Sequence, residues 1–122
     1  YYELEPAESF AFGYHSHADQ EEVFYVLSGT VTFDTEGDDI IVGTGEAVRF
    51  APGEYQQGTN RGDERVVALA IGAPADSGET DILRPCHECG EATSQRIERA
   101  ADDDDALVTH CVECGAETGR FD

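Results

Sequence analysis

His15-Ser16-His17 is followed by Glu22 after four residues and by Gly29 after six more. Two imidazoles two residues apart on a strand project to the same face, because side chains alternate across a pleated backbone. Glu22 stands at the edge of the next apolar run, where its carboxylate can swing onto that face. Mixed nitrogen and oxygen donors suit a borderline divalent metal such as Zn, Fe, Ni, Mn or Cu. The competing reading is a pair of exposed histidines in a polar turn.

A second donor set lies near the far end, where Cys86-His87-Glu88-Cys89-Gly90 and Cys111-Val112-Glu113-Cys114-Gly115 repeat one pattern. Each pair lets two thiolates grip one ion from a tight turn, and the following Gly permits a left-handed backbone there. Two such turns complete a tetrahedral site for Zn2+ made by Cys86, Cys89, Cys111 and Cys114. Disulfides compete with this reading. The paired spacing in a chain otherwise free of Cys favours zinc, and with it a reducing cytoplasm. His87 and His110 adjoin a shell that is already complete and read as bystanders.

The elements that must position these donors are strands. Phe10 to Tyr14, including Phe12, leads into the histidines, and Val23 to Leu27 reads as a central strand buried on both faces. Thr30 to Asp34, Ile40 to Val42, Ala47 to Phe50 and Arg65 to Ile71 follow, with turn signals at Ser28-Gly29, Glu36 to Asp39, Gly43 to Gly45 and Pro52-Gly53. No segment carries a convincing helical pattern. Residues 73–84 read as a linker, which leaves a β domain at 1–72 and a cysteine module at 85–122. In that module Thr93 to Glu98 and Ala106 to His110 are the expected strands, with Asp102 to Asp105 at the hairpin tip.

The chain of 122 residues has 27 acids against 7 bases, for a net charge of −20, and every base is Arg. That balance opposes nucleic-acid binding, which needs a basic face. No apolar run approaches the ~20 residues that cross a bilayer, and no signal-peptide pattern is visible; the start at Tyr1 leaves an upstream segment open. Acids spread along the chain point to a surface adapted to high salt, where screening weakens self-repulsion. A patch for a cationic partner is the other reading.

The stretch from His15 through Glu22 to Gly29 resembles the first motif of the cupins. Gly45-Glu46-Ala47-Val48-Arg49-Phe50-Ala51-Pro52-Gly53 resembles the start of their second, with Asn60 at its closing Asn. The resemblance implies an all-β fold: a double-stranded β-helix, or cupin jelly roll, with a metal in its mouth. Pro85 to Phe121 resembles a zinc ribbon. One departure is chemical, because Gln56 stands where cupins normally carry a third metal-binding His. Gln56 either ligates directly, holds a metal-bound water, or closes an empty pocket. Arg49, inside an apolar strand, either clamps a carboxylate ligand or faces outward onto an acid.

These features support a metal-binding cupin that acts on or senses a small molecule, with a structural zinc ribbon. As an enzyme, the resemblance implies a metal-dependent dioxygenase or a sugar or keto-acid isomerase. The alternative is a non-catalytic binding module whose ribbon docks a partner protein. A homodimer is implied by the resemblance alone.

Overall fold

The computed structural model describes residues 1–11 and 13–121, so Phe12, placed by its sequence in the first strand, and Asp122 lie outside the described residues. The chain divides into two compact units, Tyr1–Thr80 and Asp81–Asp122. Among the described residues every regular element is a strand. None is a helix long and apolar enough to cross a membrane.

The first unit stacks two four-stranded layers. One runs β1 (Tyr2–Leu4), β8 (Val66–Ala73), β3 (Glu21–Ser28), β6 (Ala47–Phe50); the other runs β2 (Tyr14–His17), β7 (Gln56–Thr59), β4 (Val31–Thr35), β5 (Ile40–Val42). Alternation decides what each strand buries. Phe24 and Val26 of β3, Val66 and Ala68 of β8, and Phe50 of β6 meet Val31, Phe33 and Val42 of the facing layer. The rings of Phe10, Phe24, Phe33 and Phe50 pack at centroid separations from 4.9 to 6.1 Å. Phe24, Phe33 and Phe50 are therefore core, with Phe10 packed against them.

The expectation for Val23 to Leu27 needs correction. The strand is central in its layer, but only Phe24 and Val26 point inward, while Tyr25 and Leu27 are 38% and 42% exposed. The same outer face carries Ile71, paired in register with Val23, and Leu69, paired with Tyr25. An antiparallel layer needs only one packed face, so an apolar run there does not demonstrate burial on both sides. Arg49 takes the outward option and donates through Nε to Glu21 at 2.9 Å.

Asn60 locks the loop after β7. Its amide nitrogen donates to the carbonyls of Leu4 and Glu64 at 2.9 and 2.7 Å, and its oxygen accepts from the Gly62 amide at 3.0 Å. The side chain is 1% exposed and fully bonded, so it is structural.

The second unit is a meander of β9 (Thr80–Cys86, its first residue counted with the first unit), β10 (Glu91–Arg99), β11 (Leu107–Cys111) and β12 (Glu117–Phe121). β9 takes up residues whose composition reads as linker, and β12 has no counterpart in the sequence expectations. The acidic tip lies between β10 and β11, where Ala106 donates to the Asp103 carbonyl at 3.1 Å. The clustered apolar core here is only Ala100, Ala106 and Val108.

Gly58 of β7 is where the aromatic core leaves no room. A Cβ there would sit 2.5 Å from Phe33 Cε1 and 2.7 Å from Phe10 Cδ2. Gly58→Ala is expected to destabilise the first unit by about 2–3 kcal/mol through overpacking. Urea unfolding measures this, and an unchanged midpoint would show that the rings yield at no cost.

Candidate metal centres

Three strands from both layers build the first centre. β2 carries His15 and His17, and the turn at Ala18 to Gln20 passes the chain across to β3, which brings Glu22. β7 places Gln56 directly opposite His15 in the antiparallel ladder. The ligand atoms of His15, His17 and Glu22 all lie within 4.8 Å of one another. His17 Nε2 and Glu22 Oε1 are 2.6 Å apart, and the Nε2 atoms of His15 and Gln56 are 3.3 Å apart. An ion bonded to two such atoms at about 2.1 Å spaces them about 3 Å or slightly more apart. The His15–Gln56 spacing matches, and the shorter His17–Glu22 contact is a direct hydrogen bond that an ion would open by about half an ångström.

Each imidazole is held by its other nitrogen. His15 Nδ1 donates to the Gly13 carbonyl at 2.8 Å. A carbonyl can only accept, so the proton sits on Nδ1 and Nε2 keeps its lone pair toward Gln56. Burial is the main cause that pushes the His15 pKa below the usual imidazole value, and the Gly13 bond and Glu22 oppose it. His15 therefore stays neutral and able to ligate at neutral pH. His17 Nδ1 meets Thr80 Oγ1 at 3.0 Å. A hydroxyl both donates and accepts, so Thr80 serves His17 whether its Nε2 proton faces Glu22 or its lone pair faces an ion.

Gln56 is 2% exposed, and its Oε1 has no hydrogen-bond partner. A buried amide oxygen left unpaired costs about 1–3 kcal/mol. Half a turn of the amide exchanges its ends and sets the oxygen beside His15 Nε2, where an ion shared with His15 would satisfy it. The donor set thus fits a divalent metal, with Gln56 as its neutral member.

Thr80 is a residue that sequence reasoning missed. It belongs to a segment strapped against the turn that follows His17. Ala18 donates to the Glu79 carbonyl at 2.8 Å, Asp19 to Ser77 at 3.0 Å, and the Gln20 side chain to Pro74 at 2.8 Å. The only sequence signal would have been a hydroxyl entering the strand after a linker, which is too common to use.

The second centre is more regular. Cys86 and Cys114 sulfurs are 3.5 Å apart, and Cys89 and Cys111 sulfurs 3.9 Å apart. A disulfide is about 2.05 Å long, and all four cysteines are free. Sulfurs about 2.3 Å from a tetrahedral ion lie about 3.8 Å from each other. Both turns close alike: Gly90 donates to the Cys86 carbonyl and Gly115 to Cys111, at 2.9 and 2.8 Å. Both glycines are left-handed, with φ of 74° and 79°. The Thr93 hydroxyl, 2.9 Å from the Cys111 sulfur, is the main cause that lowers that thiol to about 6. His110 turns to Glu98 at 3.7 Å, and His87 is exposed, so neither joins the set.

A small cleft with a cavity volume of about 10 Å³ opens at the first centre, lined by His17, Gln20, Glu22, Glu54 and Gln56 with Phe50 and Ala51. A jelly roll with donors from both layers at one end matches a known family. The model of the cupin domain matches residues 1–72. The chain belongs to the cupin family. Among solved structures this cupin is similar to an uncharacterised Klebsiella pneumoniae protein with a double-stranded β-helix domain (TM-score 0.58, 20% identity), over 66% of this chain and 68% of that one. A Thermotoga maritima protein described as a predicted oxalate decarboxylase aligns at TM-score 0.53 and 28% identity, over 57% of this chain and 59% of that one. A sugar phosphate isomerase of the cupin superfamily from Silicibacter pomeroyi aligns at TM-score 0.54 and 20% identity, over 95% and 62%. No curated protein matches the sequence.

Groups that orient a metal-binding His typically contribute about 10- to 100-fold in affinity. Thr80→Val is expected to weaken metal binding at the first centre by that factor and Thr80→Ser to retain it. Competition with a chelating dye measures both, and equal affinity for the Val variant would remove Thr80 from the site.

Proposed function

We propose that this cupin holds a divalent transition metal (Zn, Fe, Ni, Mn or Cu) at His15, His17 and Glu22, with Gln56 completing the set. There it acts on or senses a small molecule. The convergence of donors from two layers, with His15 fixed in its ligating tautomer by Gly13, carries the reading. A bound metal would supply a Lewis acid to polarise a ligand oxygen. The protein's own contribution is to hold the imidazoles, to neutralise charge through Glu22, and to restrict what reaches them. The cavity at the donors, about 10 Å³, is about what one water needs and far below the ~300–1,000 Å³ of drug-sized sites, so it suits an ion with a ligand of few heavy atoms reaching in from the open mouth. As an enzyme the protein would be a dioxygenase or an isomerase.

The second unit is, on this proposal, a zinc ribbon with Zn2+ on Cys86, Cys89, Cys111 and Cys114. Its core of Ala100, Ala106 and Val108 is too slight to fold it, so metal binding supplies the folding free energy. Paired C-x2-C spacing in a chain with no other cysteine supports, on the same proposal, a reducing cytoplasm. A non-catalytic module whose ribbon docks a partner protein is the alternative assignment.

The outer face of the β1-β8-β3-β6 layer supports a homodimer. Val23, Tyr25, Leu27, Leu69 and Ile71 share it, and its charges are largely paired, Glu21 with Arg49 and both Glu3 and Glu5 with Arg65. In a chain of net charge −20, an apolar face whose charges are mostly paired is where two copies would meet with least repulsion. The molecular mass in solution is the check.

Elemental analysis of protein purified without added metal is expected to give two metals per chain, one of them zinc. His15→Ala should remove the barrel metal and leave the zinc. A barrel metal that survives Gln56→Ala with unchanged affinity excludes Gln56 as a ligand. The salt-adapted reading predicts that the melting temperature climbs from dilute buffer to molar NaCl, and greatest stability in dilute buffer refutes it.

A further inference from the structure

The cleft at the metal centre is lined by two carboxylates, Glu22 and Glu54, and by neither lysine nor arginine. Every base of this chain is an arginine, and all seven can be traced. In the first unit Arg49 bonds Glu21, Arg61 bonds Asp34 and Asp39, and Arg65 bonds Glu3 and Glu5. In the second unit Arg84 lies over Phe121, Arg96 bonds Glu98, Arg99 bonds the Asp104 carbonyl, and Arg120 bonds Asp102.

With Glu22 and the Gln56 oxygen assigned to the ion, the charged group left at the mouth is an acceptor: Glu54, exposed at the rim, beside Gln20, which commits an amide hydrogen to the Pro74 carbonyl. A divalent ion there would be neutralised by Glu22 and Glu54 together. An arriving carboxylate or phosphate would then find neither a cationic clamp nor a surplus of positive charge, in a protein whose overall field repels anions. A hydroxyl or amino donor would find the Glu54 carboxylate.

We propose that this mouth selects small hydroxyl- or amino-bearing molecules that are neutral or positively charged, and that Glu54 is the residue that sets the preference against anions. The inference rests on the proposed metal site for its location, and on the cleft's own residues for its sign. It separates this cupin from structural neighbours named for oxalate and for a sugar phosphate, both of which are anionic.

Three ligands of nearly the same size test it: ethanolamine, ethylene glycol and glycolate. Each shares a hydroxymethyl group, and they differ in charge. The full chain, with its metal content measured, is titrated calorimetrically with each. Ethanolamine and ethylene glycol are expected to bind, with glycolate about tenfold or more weaker than ethanolamine, as one nearby like charge produces near a protein surface. Glu54→Gln should narrow that gap, while Glu64→Gln, which makes the same change in net charge but does not line the cleft, should leave it intact. Glycolate binding as tightly as ethanolamine, binding by none of the three, or a gap indifferent to Glu54→Gln overturns the proposal. A chain carrying one metal instead of two defeats the barrel-metal reading alone, because the order of the three ligands still reports the sign of the mouth.

Discussion

The antiparallel register that sets His15 opposite Gln56 is the constraint on which the barrel centre depends. A slip of one residue would turn β2 over and send His15 and His17 to the other face. Sequence distance along β2 then makes His17 follow His15, and the three-residue turn to β3 delivers Glu22 from the facing layer. The aromatic packing of Phe10, Phe24 and Phe33 beneath Gly58 holds that register from below, since β7 can approach only where it lacks a side chain. The core's shape and the site's chemistry are therefore set by the same short strand.

The two centres use their ligands differently. At the barrel mouth the fold exists first: a nine-residue buried cluster spans both layers, and the donors ride on its rim. In the second unit the donors are the fold. Beyond Ala100, Ala106, Val108 and Ile82 of β9, the buried positions are Thr93, Gln95 and Thr109, joined by hydrogen bonds through Thr118, and two of the cysteines. Such a network fixes geometry more than it adds net stability, because each bond replaces one made to water. Loss of metal should therefore be local at the first centre and global within the second unit.

Legibility in the sequence followed the range of the interaction. The H-x-H pair, Glu22 and the two cysteine turns are short-range patterns in which spacing alone fixes geometry, and the structure brings each set together. Strands with apolar alternation were readable for the same reason. Gln56-Gln57-Gly58-Thr59 and Glu117-Thr118-Gly119-Arg120-Phe121 were not, because their strand character comes from neighbours already paired on either side or from the end of a meander. Thr80 lies 63 residues from His17, and nothing local announces a hydrogen bond across that separation. The apolar run at Val23 to Leu27 misled in the other direction, since hydrophobicity reports what must leave water without saying what covers it.

The absence of a third imidazole gains its meaning from charge. Replacing a His by Gln leaves the formal charge of the site unchanged at neutral pH but exchanges a nitrogen donor for a weaker, harder oxygen. With Glu22 already an oxygen ligand, the set becomes balanced between two nitrogens and two oxygens, which lowers the advantage of the softer ions among the candidates. Glu54 acts in the same direction from outside the shell, because added negative charge favours a firmly held cation and disfavours an anionic ligand upon it. The mouth thus shares the sign of the chain's net charge of −20, and on the proposed reading both favour cations over anions.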